Sequence, residues 1–304
     1  MNFEVAKRAI DLVIKSNPYF FRILFTGGEP LLRVEFLEKV IKYAISKSKE
    51  VGFQIQTNGT LINDEIIKIM KKYEIQVGVS LDGIPKINDL QRGKSKEVIE
   101  GLEKLKEHKI TIGVTCVLTS INIEYLTEFI EFLDNFENVY AVGFDILKKK
   151  YGNLSPPSLD QINLIISSYK KARRIKFREI ESAKFLILKK IPRYKYCFGC
   201  SLKTIYVDPE GDLYPCASFD QDKRFFLGNI FEISSFEEVL IKSPLKERDA
   251  RFMKKCSNCE YNILCGGGCP ARSFYNEGDL FIPDKIECEF KKLIFSHLFS
   301  KSEE

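Results

Sequence analysis

The sequence predicts an α/β fold built on parallel strands, followed by a small cysteine-rich module. Two observations carry this. A short apolar run, a polar glycine-containing loop and a helical pattern follow one another three times within the first 110 residues, and eight of the nine cysteines fall after residue 196. Strands alternating with helices at this spacing require parallel pairing through right-handed crossovers, as a barrel or as a doubly wound sheet. A chain of 304 residues has room for one large domain and one small one.

The elements follow in order. Phe3, Ala6, Ala9, Ile10, Val13 and Ile14 recur at helical spacing from Met1 to Ser16, and Asn17-Pro18 breaks the pattern. Arg22–Phe25 reads as a strand ending in Thr26-Gly27-Gly28-Glu29-Pro30, with a helix from Val34 to Ser46. Gly52–Gln56 leads to Thr57-Asn58-Gly59 and a helix after Asn63; Gln76–Val79 leads to Ser80-Leu81-Asp82-Gly83 and a helix from Ser95 to Lys106. Thr111–Leu118 and Val139–Ile146 add two strands.

The three loops lie at carboxyl ends of strands, the rim where parallel α/β folds bind ligands, and are expected to face one site. Gly27 and Gly28 open the backbone, the Glu29 carboxylate beside Pro30 suits an ammonium group, and Asn58, Ser80 and Asp82 suit sugar hydroxyls. Taken singly, each loop is also ordinary turn chemistry. Cys116 shares a strand face with Ile112, Val114 and Leu118 and reads as a buried small hydrophobe.

Lys148–Pro157, with Gly152-Asn153 and Pro156-Pro157, reads as a loop and domain boundary, dividing the chain into residues 1–150, a helical bridge 151–196 and a cysteine domain 197–304. Helical pattern resumes over Leu159–Lys171, and Phe185–Tyr196 leads to Cys197 and Cys200. Thr204–Val207 and Asp212–Tyr214 flank a Pro-Glu-Gly turn, a hairpin whose outgoing strand delivers Cys216 after Pro215. Phe225–Ala250 reads as a loop and one helix, and a last helix, Glu287–Leu298, carries Cys288 at its start.

Cys256, Cys259, Cys265 and Cys269 form C-x2-C-x5-C-x3-C, with Gly266, Gly267 and Gly268 before the last. Crowded thiols in a sequence that opens with no secretory signal point to metal rather than disulfides. With Cys116 set aside, eight thiols make two sets of four, enough for two 4Fe-4S clusters or two structural zinc sites. The triple glycine lets backbone amides approach a bulky ligand, which suits the cluster.

Composition narrows the remaining classes. The chain is 44% hydrophobic and 29% charged, and no apolar run approaches the ~20 residues that span a bilayer, which places it in the cytoplasm with no membrane partner. The net charge of +5 is spread over mixed-sign helix faces, so nucleic acid is an unlikely partner. Two histidines leave little for His-based hydrolysis or a His-rich zinc site.

These residues resemble the radical S-adenosylmethionine (SAM) enzymes that carry a C-terminal SPASM domain. Cys200, ten residues, Gly211, four residues, Cys216, the C-x2-C-x5-C-x3-C run and Cys288 match the seven-cysteine SPASM pattern, and Cys197 resembles an extra upstream ligand. Gly27-Gly28-Glu29-Pro30 resembles the motif that holds the methionine ammonium of SAM, and Asn58, Ser80, Asp82 and Arg92 match other SAM-side positions. The resemblance implies a partial (β/α)6 TIM-like barrel, here without its first strand, then a domain with two auxiliary 4Fe-4S clusters. It implies Cys197, Cys200, Cys216 and Cys269 at the inner cluster and Cys256, Cys259, Cys265 and Cys288 at the outer one. It also implies a peptide or protein substrate and a reductant such as ferredoxin or flavodoxin.

Two departures qualify the resemblance. The family's C-x3-C-x2-C loop, whose three thiolates hold the SAM-cleaving cluster, has no counterpart, since no cysteine precedes Cys116. The sequence therefore reads as a truncated or mis-started chain that gains a third cluster if an upstream segment supplies the loop, or else as a non-catalytic iron-sulfur protein kept for binding or electron transfer. Missing the family's first strand, it would also leave an unpaired edge on the next one. Second, Ala217 stands where sulfatase-maturating members place the basic Asp, which disfavours that reaction. The catalytic residue itself is unassigned.

Overall fold

The computed structural model describes residues 1–16, 19–149 and 154–300. Asn17-Pro18 and Gly152-Asn153 lie outside them. Among the described residues are nine strands: β1 Phe21–Phe25, β2 Val51–Thr57, β3 Gln76–Ser80, β4 Ile112–Leu118, β5 Val139–Ile146, β6 Lys176–Phe177, β7 Tyr206–Val207, β8 Asp212–Tyr214 and β9 Gly228–Asn229. The chain forms two compact units that interleave along the sequence, residues 1–56, 65–76 and 197–248 in one and 57–64, 77–196 and 249–304 in the other.

In the first unit β1 pairs with β2 in parallel, Phe21 opposite Val51 through Phe25 opposite Ile55. The helix Phe3–Ser16 buries Val5 and Leu12 against Leu213, Ile230, Ile233, Phe236 and Val239, so its apolar stripe packs on the hairpin region. Arg8 ties the two together by donating from Nε to the Ile230 carbonyl (3.3 Å) and from Nη2 to that of Ile233 (2.6 Å). The expected hairpin forms as β7 and β8, antiparallel, and gains β9 as a third strand too short to read in sequence. Its turn is fixed by Asp208, whose Oδ1 accepts from the amides of Glu210 and Asp212 (3.0 and 2.8 Å). Gly211 is obligatory there: φ is +93°, and an added Cβ would stand 2.9 Å from Ile230.

In the second unit β3, β4, β5 and β6 follow in order, all parallel. One face is a buried apolar layer of Val77, Val79, Ile112, Val114, Cys116, Leu118, Val142, Phe144 and Ile146, which places Cys116 in the core. Apart from Val117, the other face carries small or polar residues: Gly78 and Ser80, Gly113 and Thr115, Ala141, Gly143 and Asp145. This alternation is the period of two that a one-sided sheet requires. The helix Leu126–Leu133 lies outside the sequence reading, although Leu126, Phe129, Ile130 and Leu133 have helical spacing and are all buried. β6 sits in the segment read as a helical bridge, because two residues show no periodicity.

The helix expected from Leu159 starts at Asn163. Ser158 and Gln161 bond reciprocally, the Ser158 amide to Gln161 Oε1 (2.9 Å) and the Gln161 amide to Ser158 Oγ (3.3 Å), which holds the approach in turns. Phe225–Ala250 follows the 3-10 turn Lys223–Phe225 and contains the short helix Glu237–Leu240 and the 3-10 turn Pro244–Glu247. The last helix runs from Lys285 to Ser300 and packs on the helices Asn163–Lys171 and Arg178–Leu188. No helix among the described residues is long and apolar enough to cross a membrane.

Candidate functional site

The strand-end loops divide between the two units. In the first, Gly27 has φ +129°, and an added Cβ at either Gly27 or Gly28 would meet nothing within 4 Å, so this backbone is open on its side-chain side. Glu29 is extended and caps the 3-10 turn Pro30–Arg33, its Oε1 accepting from the Leu31 amide at 3.1 Å. The carboxylate is thus oriented by its own turn.

In the second unit Asn58 closes its loop by accepting from the amide and hydroxyl of Thr60 (2.9 and 2.8 Å). Asp82 and Arg92 are brought together, Nε donating to Oδ2 at 2.5 Å, while Oδ1 accepts from the Val117 amide at 2.7 Å. Each Asp82 oxygen therefore already holds one hydrogen bond, and the residue clasps the end of β3 to β4. Burial raises its pKa above the ordinary carboxylate value, with Arg92 working against the shift. Ser80 ends β3 directly opposite Thr115.

Three of the expected ligand cysteines lie in the first unit. Cys197 and Cys200 bring their sulfurs to 3.7 Å of each other, and that contact, with burial, raises the Cys197 pKa. Gly199 between them is a residue the sequence reading passed over. A Cβ there would stand 3.2 Å from the Pro215 carbonyl and 3.6 Å from Cys197 Sγ, so the bare backbone lets the Cys-Phe-Gly-Cys loop lie against the strand end that delivers Cys216.

In the second unit Cys256, Cys259, Cys265 and Cys288 line one cavity of about 750 Å³, shared with Gly267, Gly268, Lys291 and Tyr261. Cys269, four residues after Cys265, is not part of that lining. Gly266, Gly267 and Gly268 have φ of +72°, +82° and +74°, a left-handed run that only glycine adopts without strain. The tightness is local as well as conformational: an added Cβ would meet the Tyr196 backbone at 2.9 Å from Gly266 and Glu287 Oε2 at 2.9 Å from Gly268. The Gly267 and Gly268 amides bond to the Cys265 sulfur, favouring its thiolate against the burial that raises its pKa. Burial also lifts Cys288, to about 11. Four thiols lining one cavity supply the donor set of a 4Fe-4S cluster or of a structural zinc site.

A charged network backs this cavity, and the sequence reading missed it. Glu287, 2% exposed, accepts from the Cys269 amide (2.7 Å) and from Arg272 Nε (3.0 Å) and Nη2 (2.5 Å). Arg272 Nη1 bonds to Asp145 at the end of β5, whose other oxygen accepts from Lys148 Nζ at 3.0 Å. Burial opposes every one of these charges, yet Arg272 outweighs it at Glu287 and lowers that pKa to about 2. Arg272 and Lys148 together lower the Asp145 pKa. The only signal in sequence is adjacency, Glu287 beside Cys288 and Arg272 three residues after Cys269.

The radical SAM superfamily model matches residues 1–133, and that of SPASM, an iron-sulfur cluster-binding domain, matches residues 197–260. An uncharacterised protein of Methanocaldococcus jannaschii, MJ0907, is 34% identical over 253 residues, covering 80% of this chain and 84% of its own. A cysteine-type anaerobic sulfatase-maturating enzyme of Clostridium perfringens is 25% identical over 337 residues, covering 99% and 87%. A solved structure described as native anSMEcpe with bound AdoMet and Cp18Cys peptide has a TM-score of 0.79 at 22% identity, covering 99% of this chain and 90% of that one.

Proposed function

Because the chain belongs to the radical SAM superfamily and carries a SPASM iron-sulfur domain, we propose that it modifies a side chain of a peptide or protein by SAM-dependent hydrogen abstraction. The observation that carries the iron-sulfur half of this reading is the single cavity lined by Cys256, Cys259, Cys265 and Cys288. These four would hold the outer auxiliary 4Fe-4S cluster, and Cys197, Cys200, Cys216 and Cys269 the inner one. When bound, the clusters supply electron transfer or a binding point for substrate.

The protein's own residues have separable parts in this reading. Residues 1–150 form the SAM side, where the open Gly27-Gly28 backbone and Glu29 receive the methionine ammonium, and Asn58, Ser80 and the Asp82–Arg92 pair line the nucleoside side. Residues 151–196 form the bridge and 197–304 the cluster domain. Gly267 and Gly268 orient amides at Cys265, and Glu287 fixes the Cys269 backbone. The name of the sulfatase-maturating relative supports a protein or peptide as the target; the reductant in this reading, a ferredoxin or flavodoxin, is what the family resemblance implies.

The 304 residues contain no C-x3-C-x2-C loop. Anaerobic incubation with SAM and dithionite therefore gives SAM binding without 5′-deoxyadenosine for these residues alone. Joined to upstream coding sequence that supplies such a loop, the protein is expected to bind a third cluster and form 5′-deoxyadenosine in step with substrate modification. A second reading is electron transfer or binding without catalysis; no 5′-deoxyadenosine from the extended, fully reconstituted protein would establish it and overturn the first.

A further inference from the structure

β3, β4 and β5 place Ser80, Thr115 and Gly143 side by side in register. Parallel partners share a face, so these three form one row, with Gly78, Gly113 and Ala141 as the next row along. A Cβ built on Gly143 would lie 2.0 Å from the guanidinium carbon of Arg178 and 2.0 Å from its Nη2. Arg178, the first residue of the helix Arg178–Leu188, therefore reaches across this face and fills the space that a side chain at 143 would occupy.

The root of that side chain is held and its end is open. Arg178 Nε lies 3.5 Å from Glu179 Oε1, the side chain is 58% exposed, and neither Nη group has a protein partner among the described residues. Glu179 is anchored in turn: its side chain is only 10% exposed, and Oε1 accepts from the Phe144 amide at 3.1 Å, continuing the β5 edge past the short β6. The other oxygen, Oε2, is buried and accepts no hydrogen bond among the described residues, so Glu179 engages Arg178 through Oε1 alone. Asp145, on the same face, does not compete for Arg178, because Arg272 and Lys148 take up its two oxygens.

We propose that Arg178 anchors a carboxylate of the peptide substrate on the face it shares with Ser80, either an acidic side chain or the C-terminal carboxylate. A guanidinium offers two parallel N–H donors that match a carboxylate, which a point charge does not. Adjacent strands lie about 4.8 Å apart, so Ser80 and Gly143 are separated by about 10 Å, enough to seat a substrate beside a ligand held at Ser80. The glycines at 78 and 113 leave that face low beside Arg178, with room for a peptide backbone. This rests on the peptide reading above and names the substrate feature selected.

Three blocked pentapeptides test it by titration calorimetry at low salt on the reconstituted 304-residue protein: Ac-Ala-Gly-Glu-Gly-Ala-amide, its Gln counterpart, and the Gln peptide with a free C-terminal carboxylate. One carboxylate probe is expected to bind on the order of tenfold tighter than the Gln amide, and which one identifies the source. Arg178→Gln should erase the difference and Arg178→Lys retain part of it. Gly143→Ala, which displaces the guanidinium without changing charge, should reduce it, with iron content unchanged throughout. Equal binding of the three peptides, no binding at millimolar concentration, or a preference that survives Arg178→Gln overturns the proposal. The titration needs no turnover, so it remains readable if hydrogen abstraction fails, and its failure beside intact chemistry removes the role of Arg178 alone.

Discussion

Glu287 Oε2 accepts a hydrogen bond from the backbone amide of Cys269 at 2.7 Å, fastening the end of the triple-glycine turn to the first turn of the terminal helix. The same carboxylate neutralises the buried Arg272 guanidinium. Cys269 and Cys288, on opposite sides of this carboxylate in the chain, are thereby set by one side chain.

Glu287→Gln keeps the shape and removes the charge, leaving the buried Arg272 with only Asp145, which it shares with Lys148. Breaking a buried ion pair from one side costs about 3–5 kcal/mol. A lower thermal midpoint and faster iron loss are expected, measured by circular dichroism and iron release to a chelator; an unchanged midpoint would show that the pair is dispensable.

Cys265→Ala and Cys269→Ala should damage different clusters although only four residues separate them, since Cys265 lines the cavity and Cys269 does not. Electron paramagnetic resonance of the reduced proteins, with iron analysis, distinguishes them. Loss of the same cluster in both variants contradicts the division.

Gly268→Ala places a Cβ on a residue with φ +74° and 2.9 Å from Glu287 Oε2. Left-handed backbone costs an L-residue about 1–2 kcal/mol, and the contact adds to it. Thermal unfolding should show a loss of that size or more, whereas Gly28→Ala, where an added Cβ meets nothing within 4 Å, should leave stability nearly unchanged. Equal effects at both positions would contradict the role given to the turn.

Periodic elements were the legible part of this chain. Val77 and Val79, or Ile112, Val114, Cys116 and Leu118, announce a strand by alternation, and the triple glycine announces a turn that needs no side chains. β6 and β9 are two residues each, too short for any period, and exist because a neighbouring strand offers its edge. Glu287, Arg272 and Asp145 escaped because a charged residue in sequence looks like surface; only tertiary packing shows that the buried Arg272 pairs with both carboxylates. Arg178 escaped for a related reason, since its place depends on Gly143, 35 residues earlier, having no side chain.

Iron and zinc analysis of protein purified and reconstituted under strict anaerobiosis, paired with Mössbauer spectroscopy, tests the iron-sulfur assignment most directly. Two complete four-thiolate sets give about eight irons per chain in two 4Fe-4S clusters, with Cys288→Ala losing one cluster and keeping the other. Colourless protein with two zinc ions and no iron per chain would contradict it.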